Sequence, residues 1–399
     1  MKSLLKTKST RILKCLCAFY YNWLQWTASV LKANVYFGRY AGRVPGGSIV
    51  FFPCRQTMLG CGIAGIVAFK NQPARRSDFR LELLNDMVRQ VEAGSRQLPR
   101  QNDGFSDCYL GGSATIEKLW QSAQAIKTEA QLFSVFSDEN AQGEIERLAE
   151  RLSAVIEAET GLMTEQMGHL AADVVERVWD CLEKLKDITW FLKTDILSNL
   201  KKIGGLLAHN PSPPSVATVS LFKKINAVLN SIDRLEVRGR DSAGVSTMFI
   251  FDAPEFQKCE AALDRAGLLD QFKARCEPDP LISGGINCRS SEIGDGKKQV
   301  AVAFTYKIAL EIGSLGENVQ HLRRQIANDP VFQILTTVPA AFNTVLAHTR
   351  WASVGAITEA NCHPVDNHIV GGQTPKSGII HTCLNGDIDN YQELKSEFE

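Results

Sequence analysis

The clearest pattern in this chain is a short apolar run, Gly62 to Phe69 (GIAGIVAF), which opens at Cys61. It is partly β-branched and too short for an ordinary helix, so it predicts a buried strand. From about Ser77 the period changes. Residues 115–208 are rich in Ala, Leu, Glu, Lys and Gln, with apolar residues at helical spacing: Ile145, Leu148 and Leu152, then Val174, Val175, Val178, Leu182 and Leu185. This predicts a module of several amphipathic helices whose charged faces are most simply solvated faces. Asn210-Pro-Ser-Pro-Pro214 stops the module, because consecutive prolines cannot continue a helix. A further helix is predicted from about Val219 to Leu235, then the sequence Arg-Gly-Arg-Asp at 238–241 and a strand at about Val245 to Phe251. Residues 253–342 read as an irregular stretch carrying one strand (Val300 to Tyr306) and one helix (about Glu317 to Ile326). Strands are expected again at Thr344 to His348, His368 to Gly371 and Gly378 to Thr382, with a short helix from near Asn390. The chain shows no internal repeat and no low-complexity tract.

Charge divides the chain more sharply than hydrophobicity does. Over 399 residues, 44 Lys+Arg balance 44 Asp+Glu, so nothing in the whole-chain charge favours nucleic acid. Yet no acid precedes Asp78, while nine Lys and Arg lie in the first 60 residues, which leaves the remainder acidic. The opening segment combines a basic start (Lys2, Lys6, Lys8, Arg11, Lys14) with a partly apolar stretch from Cys15 to Leu31. Asn22, Gln25, Thr27 and Ser29 interrupt that stretch, which falls short of the roughly 20 apolar residues a spanning helix needs. A removable leader and an upstream extension are the competing readings, the latter encouraged by Met58 just before the first strand.

The eleven cysteines are odd in number and contain no CxxC pair, which points to a reducing, cytoplasmic setting rather than a disulfide framework. Cys362, His363 and His368 are metal-ligating residue types, but no second cluster completes four ligands. No metal and no cofactor are expected.

Four clusters carry chemistry. Cys61-Gly-Ile-Ala-Gly places a cysteine at the head of an apolar strand, with glycines that allow close approach of backbone or ligand; a lone cysteine is otherwise most often a core thiol. Arg238-Gly-Arg-Asp-Ser-Ala-Gly244 is a polar, glycine-flanked loop between helix and strand. His348-Thr-Arg-Trp-Ala-Ser-Val-Gly355 ends a strand with Arg350 beside Trp351 and runs on to Asn361-Cys-His-Pro364. An arginine fork suits bidentate grip on a small carboxylate, though a structural arginine would serve equally well paired to an acid. Leu384-Asn-Gly-Asp387 can point a side-chain amide and a backbone N–H at one oxyanion, and Asn-Gly is also a common tight turn.

In this order, CGIAGIV, RLEVRGRDSAG, HTRWAS followed by NCHP, and LNGDIDNYQELK resemble the glutaminase domain of the glutamine:fructose-6-phosphate aminotransferases (isomerizing), which are class II glutamine amidotransferases. The resemblance covers roughly Cys61 to Phe69, Phe222 to Phe251 and Thr344 to Phe398. It implies an α+β fold, a four-layer αββα sandwich of the N-terminal-nucleophile type, here incomplete at the C-terminus and interrupted by a helical insertion. The expected organisation is a basic extension or propeptide (1–60), a first glutaminase strand (61–77), a mostly helical insertion (78–218), a glutaminase helix and strand (219–252), a second insertion (253–342) and a truncated glutaminase end (343–399).

By the same resemblance Cys61 is the nucleophile, Asn385 and the Gly386 N–H form the oxyanion hole, and Arg350 holds the glutamine α-carboxylate. Trp351, Ser353 and His363 complete the pocket. The base in this class is the nucleophile's own α-amino group, so activity at position 61 implies cleavage of the Gly60–Cys61 bond. The implied substrate is L-glutamine, with fructose 6-phosphate bound only through a sugar isomerase half that this chain lacks. The resemblance is also compatible with a homo-oligomer for the complete enzyme. The family has Thr where Ser353 stands, His where Val354 stands, and a histidine where Leu384 precedes Asn-Gly. Its ammonium-binding aspartate lies beyond Glu399, so the expectation is the front of a longer enzyme with exposed strand edges.

Overall fold

A computed structural model describes residues 47–51, 61–68, 80–97, 109–277, 282–293, 296–309, 314–352, 355–368, 378–386 and 388–398, all within one compact unit that begins at Val44. In chain order the elements are β1 (Gly47–Phe51), β2 (Gly62–Ala68), α1 (Leu81–Ala93), α2 (Ser113–Ala125), α3 (Glu129–Phe136), α4 (Glu139–Gln166), α5 (Ala172–Trp190), a π-helical run at Phe191–Ser198 and α6 (Asn199–Leu206). Then follow α7 (Val216–Leu235), β3 (Ser242–Asp252), α8 (Ala253–Arg265), α9 (Leu269–Arg275), β4 (Gly285–Ile293), β5 (Lys297–Ala309), α10 (Glu317–Ala327), α11 (Pro330–Leu335) and β6 (Phe342–Arg350). The last elements are β7 (Val365–Asp366), β8 (His381–Thr382) and α12 (Tyr391–Phe398). The fold is of the α+β kind, helices with an antiparallel sheet.

Six strands form the main sheet in the order β1-β2-β6-β3-β5-β4, every neighbouring pair antiparallel. Alternation along each strand gives the sheet two unlike faces. One carries Ala243, Val245, Phe249 and Phe251 of β3, packed with Phe222, Ile225, Leu229 and Ile232 of α7 and with Val319, Leu322 and Ile326 of α10. The other carries Ser242, Gly244 and Ser246. A Cβ on Gly244 would run into the carbonyl oxygen of His363, and Ser246 hydrogen-bonds to His381, so this face lies beneath residues of the β7–β8 region. Helices therefore cover one face of the sheet and the two-stranded β7–β8 pair sits on the other.

The helical module has a core of its own. In α4 the buried residues Ile145, Leu148, Leu152, Val155, Ile156 and Met163 face Leu84 and Val88 of α1 and Val178, Leu182 and Leu185 of α5. Glu159 is buried on that same stripe of α4 and accepts from Ser95 Oγ at 2.6 Å, Arg96 N at 2.5 Å and Tyr109 OH at 2.8 Å. A carboxylate so supplied with donors tolerates burial, and it pins together the chain on either side of residues 98–108. At the far end of the module, α6 joins the two cores, with Leu200 in one and Ile203 and Leu206 in the other.

The stretch 253–342 is more regular than its sequence suggests. It adds α8, α9, α11 and β4 to the expected strand and helix, and its β5 pairs with β3 over eleven positions from Ser242↔Ala309 to Asp252↔Gln299. The strand expected at His368 to Gly371 differs as well: pairing occurs at Val365–Asp366, and residues 369–371 lie outside those described. No helix among the described residues is long and apolar enough to cross a membrane, and the Cys15–Leu31 stretch is also outside them.

Candidate active site

Cys61 precedes β2 by one residue. Since Gly62 pairs with Thr349 and Ile63 with His348, alternation puts Cys61 on the same face as Ile63, His348 and Arg350. Its thiol is half-buried and directed at the carbonyl oxygen of Trp351, 3.9 Å away. Gly62 leaves no room for a side chain, because a Cβ there would lie 2.5 Å from Leu235 Cβ and 2.9 Å from Thr349 Oγ1. The end of α7 thus presses directly on the strand beside the thiol.

The Arg238–Asp241 loop meets the end of β6 backbone to backbone. A Cβ on Gly239 would fall 2.7 Å from the Arg350 carbonyl carbon and the Trp351 nitrogen. Asp241 closes the contact from both sides: its N–H donates to Arg350 O at 3.1 Å and its Oδ2 accepts from Ala352 N at 2.7 Å. Asp241 therefore fixes the two peptides around Trp351, whose carbonyl faces Cys61. Arg350 donates through Nη1 to Ala356 O at 3.0 Å, and Asn361 reaches the same oxygen at 3.1 Å, so the fork lies along the 355–361 segment. Trp351 is 39% exposed beside it. Ser353 lies outside the described residues.

Two imidazoles hold the remaining loop. His348, fully buried, donates from Nε2 to Leu384 O at 3.1 Å, and Leu384 N donates to His363 Nδ1 at 3.3 Å. The rings sit edge to face with centroids 4.9 Å apart. Both backbone groups of Leu384 are thereby clasped, and exposed Asn385 and Gly386 follow at once. Gly386 has φ of +137°, a conformation that favours glycine. The hydrogen bonds assign each ring its proton on Nε2 and leave Nδ1 of His363 as an acceptor. The structure thus ties Asn385 and Gly386 to the β6 position opposite Ile63, two residues from Cys61.

Burial, followed by the neighbouring His363, pushes the His348 imidazole down to about 3, and burial also holds His363 below its ordinary value. A histidine with a lowered folded value is protonated first in the unfolded chain. Its contribution is complete above the unfolded value of about 6.5 and is lost as pH falls from there toward 3. The clasp is accordingly expected to open in mild acid: amide exchange at Leu384 should accelerate between about pH 6 and pH 4. His348→Gln, with no proton to gain, should flatten that profile. An unchanged profile would refute the clasp.

A second polar group lies deeper on this face. Ser246 Oγ is hydrogen-bonded to His381 Nδ1, and His381 Nε2 stands 3.6 Å from Asp366 Oδ2, which also accepts from Asn287 Nδ2 at 3.3 Å. The residue types are those of a hydrolase triad, but Ser246 is 3% exposed and the His381 and Asp366 side chains 8% each. These buried side chains tie β7 and β8 to β3 and β4 of the sheet.

Of the residues singled out in the sequence, Cys61, Arg350, Trp351 and His363 converge at one end of one sheet face, with Asn385 and Gly386 on the loop clasped there. Asp241 and His348 join them, though neither residue type in its motif signals the main-chain contacts it makes. Alternation from Arg350 was the signal that puts His348 on the same face.

The sequence is similar over short segments to curated relatives. Glutamine--fructose-6-phosphate aminotransferase (isomerizing) of Corynebacterium diphtheriae is 33% identical over 102 residues, 26% of this chain and 14% of the relative. The protein of that name from Gluconobacter oxydans is 40% identical over 79 residues, 19% of this chain and 11% of the relative. The one from Acinetobacter baylyi is 44% identical over 54 residues, 14% of this chain and 7% of the relative. No family model matches, and no solved structure matches. The chain thus aligns with about a seventh or less of the length of these relatives, and over those segments it is related to glutamine--fructose-6-phosphate aminotransferases.

Proposed function

We propose that this chain carries the glutaminase site of a glutamine--fructose-6-phosphate aminotransferase, a transferase, and hydrolyses L-glutamine to glutamate and ammonia. One observation supports the reading above all: segments as far apart as 61, 241, 350, 363 and 384 are linked by contacts at one end of one sheet face, where the cysteine lies. Those are the segments that carry the family's motifs. In this reading the fold is an N-terminal-nucleophile sandwich, for which the helix layer, the antiparallel sheet and the β7–β8 pair on its other face speak.

The chemistry follows from the groups present. Once the Gly60–Cys61 bond is cut, the new α-amine takes the Cys61 thiol proton and sulfur attacks the side-chain amide carbon. Asn385 Nδ2 and the Gly386 N–H donate to the oxyanion. The C–N bond then breaks, the leaving nitrogen takes the proton from the α-ammonium, and water hydrolyses the thioester to glutamate. Arg350 holds the substrate carboxylate, with Trp351, Ser353 and His363 lining the pocket. The ammonia is passed to fructose 6-phosphate bound by a sugar isomerase half, and the setting is cytoplasmic.

The test is intact mass and N-terminal sequencing of the protein from its host, followed by labelling with a glutamine-mimicking diazoketone. A chain beginning at Cys61 that labels there, and loses the label in Cys61→Ala, is the expected result. A chain that keeps the Gly60–Cys61 bond and refuses the reagent would overturn the reading in favour of a non-catalytic interaction protein.

A further inference from the structure

Beside the Arg238–Asp241 loop lies a buried polar contact between Glu236, within RLEVRGRDSAG, and the start of α10. Glu236 and Asn318 are both 0% exposed. Glu236 Oε2 accepts from Gly316 N, at the start of α10, and Asn318 Nδ2 donates to Arg240 O at 2.8 Å. Because the Arg240 carbonyl can only accept, the Asn318 amide must turn its nitrogen toward it and its oxygen away. Asn318 also lies against the Glu236 carboxyl, and among the described residues Asn318 Oδ1 and Glu236 Oε1 are buried with no donor at full hydrogen-bond geometry.

Buried polar groups hold their partners tightly, because losing one leaves a desolvated atom unpaired. Burial raises the Glu236 carboxyl above the usual carboxylate range, against the Gly316 N–H, and nearby Asp233 raises it further, while Asn318 pulls the other way.

We propose that Glu236 and Asn318 are positioning residues that fasten the 238–241 loop to the N-terminal end of α10 and so set the pocket around Cys61. The connection is continuous. Gly316 and Asn318 hold Glu236 and Arg240; Gly239 and Asp241 hold Arg350 to Ala352; the Trp351 carbonyl faces the thiol. Neither residue touches the reacting atoms. Their effect is to hold the Arg350 fork in register with the nucleophile, where small displacements are costly in rate. The assignment of fork and nucleophile rests on the function proposed above, whereas the fastening itself does not.

The two parts are separated by two measurements on the full chain, made on Glu236→Ala, Glu236→Gln, Asn318→Ala and the parent. The first is amide exchange at 239–241 and 350–352, which needs no activity. Exchange should rise in Glu236→Ala and Asn318→Ala and return to the parent level in Glu236→Gln, whose amide can donate to Asn318 and accept from Gly316. Unchanged exchange in Glu236→Ala, or a Glu236→Gln as open as the alanine variant, would overturn the fastening.

The second is the rate of Cys61 modification by the glutamine-mimicking diazoketone relative to that by iodoacetamide, which needs no carboxylate fork. The two alanine variants should lose roughly tenfold with the diazoketone and about nothing with iodoacetamide, and Glu236→Gln should restore the ratio. Equal loss with both reagents would mean general unfolding and would overturn the positioning role. A parent that refuses the diazoketone while its exchange pattern follows the prediction would refute the function and leave the fastening standing.

Discussion

Asp329→Ala should destabilise the protein by about 3–5 kcal/mol, the cost expected when one partner of a buried ion pair is removed and the other is stranded. Asp329 accepts both arms of the Arg275 fork, at 2.8 and 2.6 Å, and the Tyr306 hydroxyl at 2.6 Å. It also caps α11 by accepting from Val331 N and Phe332 N at 3.0 and 3.1 Å. The substitution therefore takes the carboxylate from a part-buried guanidinium and the acceptor from a buried phenol and two helix N–H groups at once. Arg275 additionally donates to Gly284 O at 2.6 Å, so the damage spreads to the start of β4. Urea denaturation at neutral pH gives the number, and a loss below about 1 kcal/mol would show that the network carries little stability. Acid should act in the same direction. Burial alone would raise the Asp329 carboxyl, but Arg275 and then Tyr306 hold it below its ordinary 3.8. Its stabilising effect is present above that ordinary value and lost as pH falls through the lower folded one.

The second large effect concerns rate rather than stability. On the proposed function, Asn385→Ala should lower kcat for glutamine hydrolysis by roughly 100-fold to 1000-fold and leave KM nearly unchanged, because in that mechanism the amide donates to charge that exists only at the transition state. Asn385 is exposed and its neighbour Leu384 is held through backbone atoms, so the melting temperature should not move. A variant that retains activity within tenfold would remove Asn385 from the mechanism, and a fall in melting temperature would instead mark it as structural.

The sequence disclosed much of this architecture, unevenly and for physical reasons. The GIAGIVAF strand and the helical module were legible because burial there repeats with a clean period, as at Ile145, Leu148 and Leu152. β4 was not. It is an edge strand, GINCRSSEI, in which Ile286 is buried on the helix side while Asn287 and Arg289 are occupied by the β7 region. Polar residues that bond to a distant segment look like loop until that segment is in place. β7, with two residues, is too short to show any alternation. α8 carries Phe256, Cys259 and Leu263 at helical spacing and could have been read; its modest length within a polar stretch hid it.

The site divides along the same line. Cys61, Arg350 and Asn385 were recoverable as chemical types in motifs. The work of Asp241 and His348 was not, because it consists of hydrogen bonds to main-chain groups more than thirty residues away, at Ala352 and Leu384. Main-chain partners leave no mark on side-chain identity.

The strand at the outer margin of the sheet gives the Gly60–Cys61 bond an unusual setting. β1 comes from the basic opening segment, and its pairing with β2 runs from Gly47↔Ala68 to Phe51↔Ala64, alongside the strand that Cys61 heads. Hydrolysis between residues 60 and 61 would sever the connection without disturbing that ladder. The two pieces would then remain one particle in native solution and separate only in denaturant, as a nicked complex. In such a species β1 would still occupy the hydrogen-bonding edge of β2, which its departure would otherwise expose to other chains.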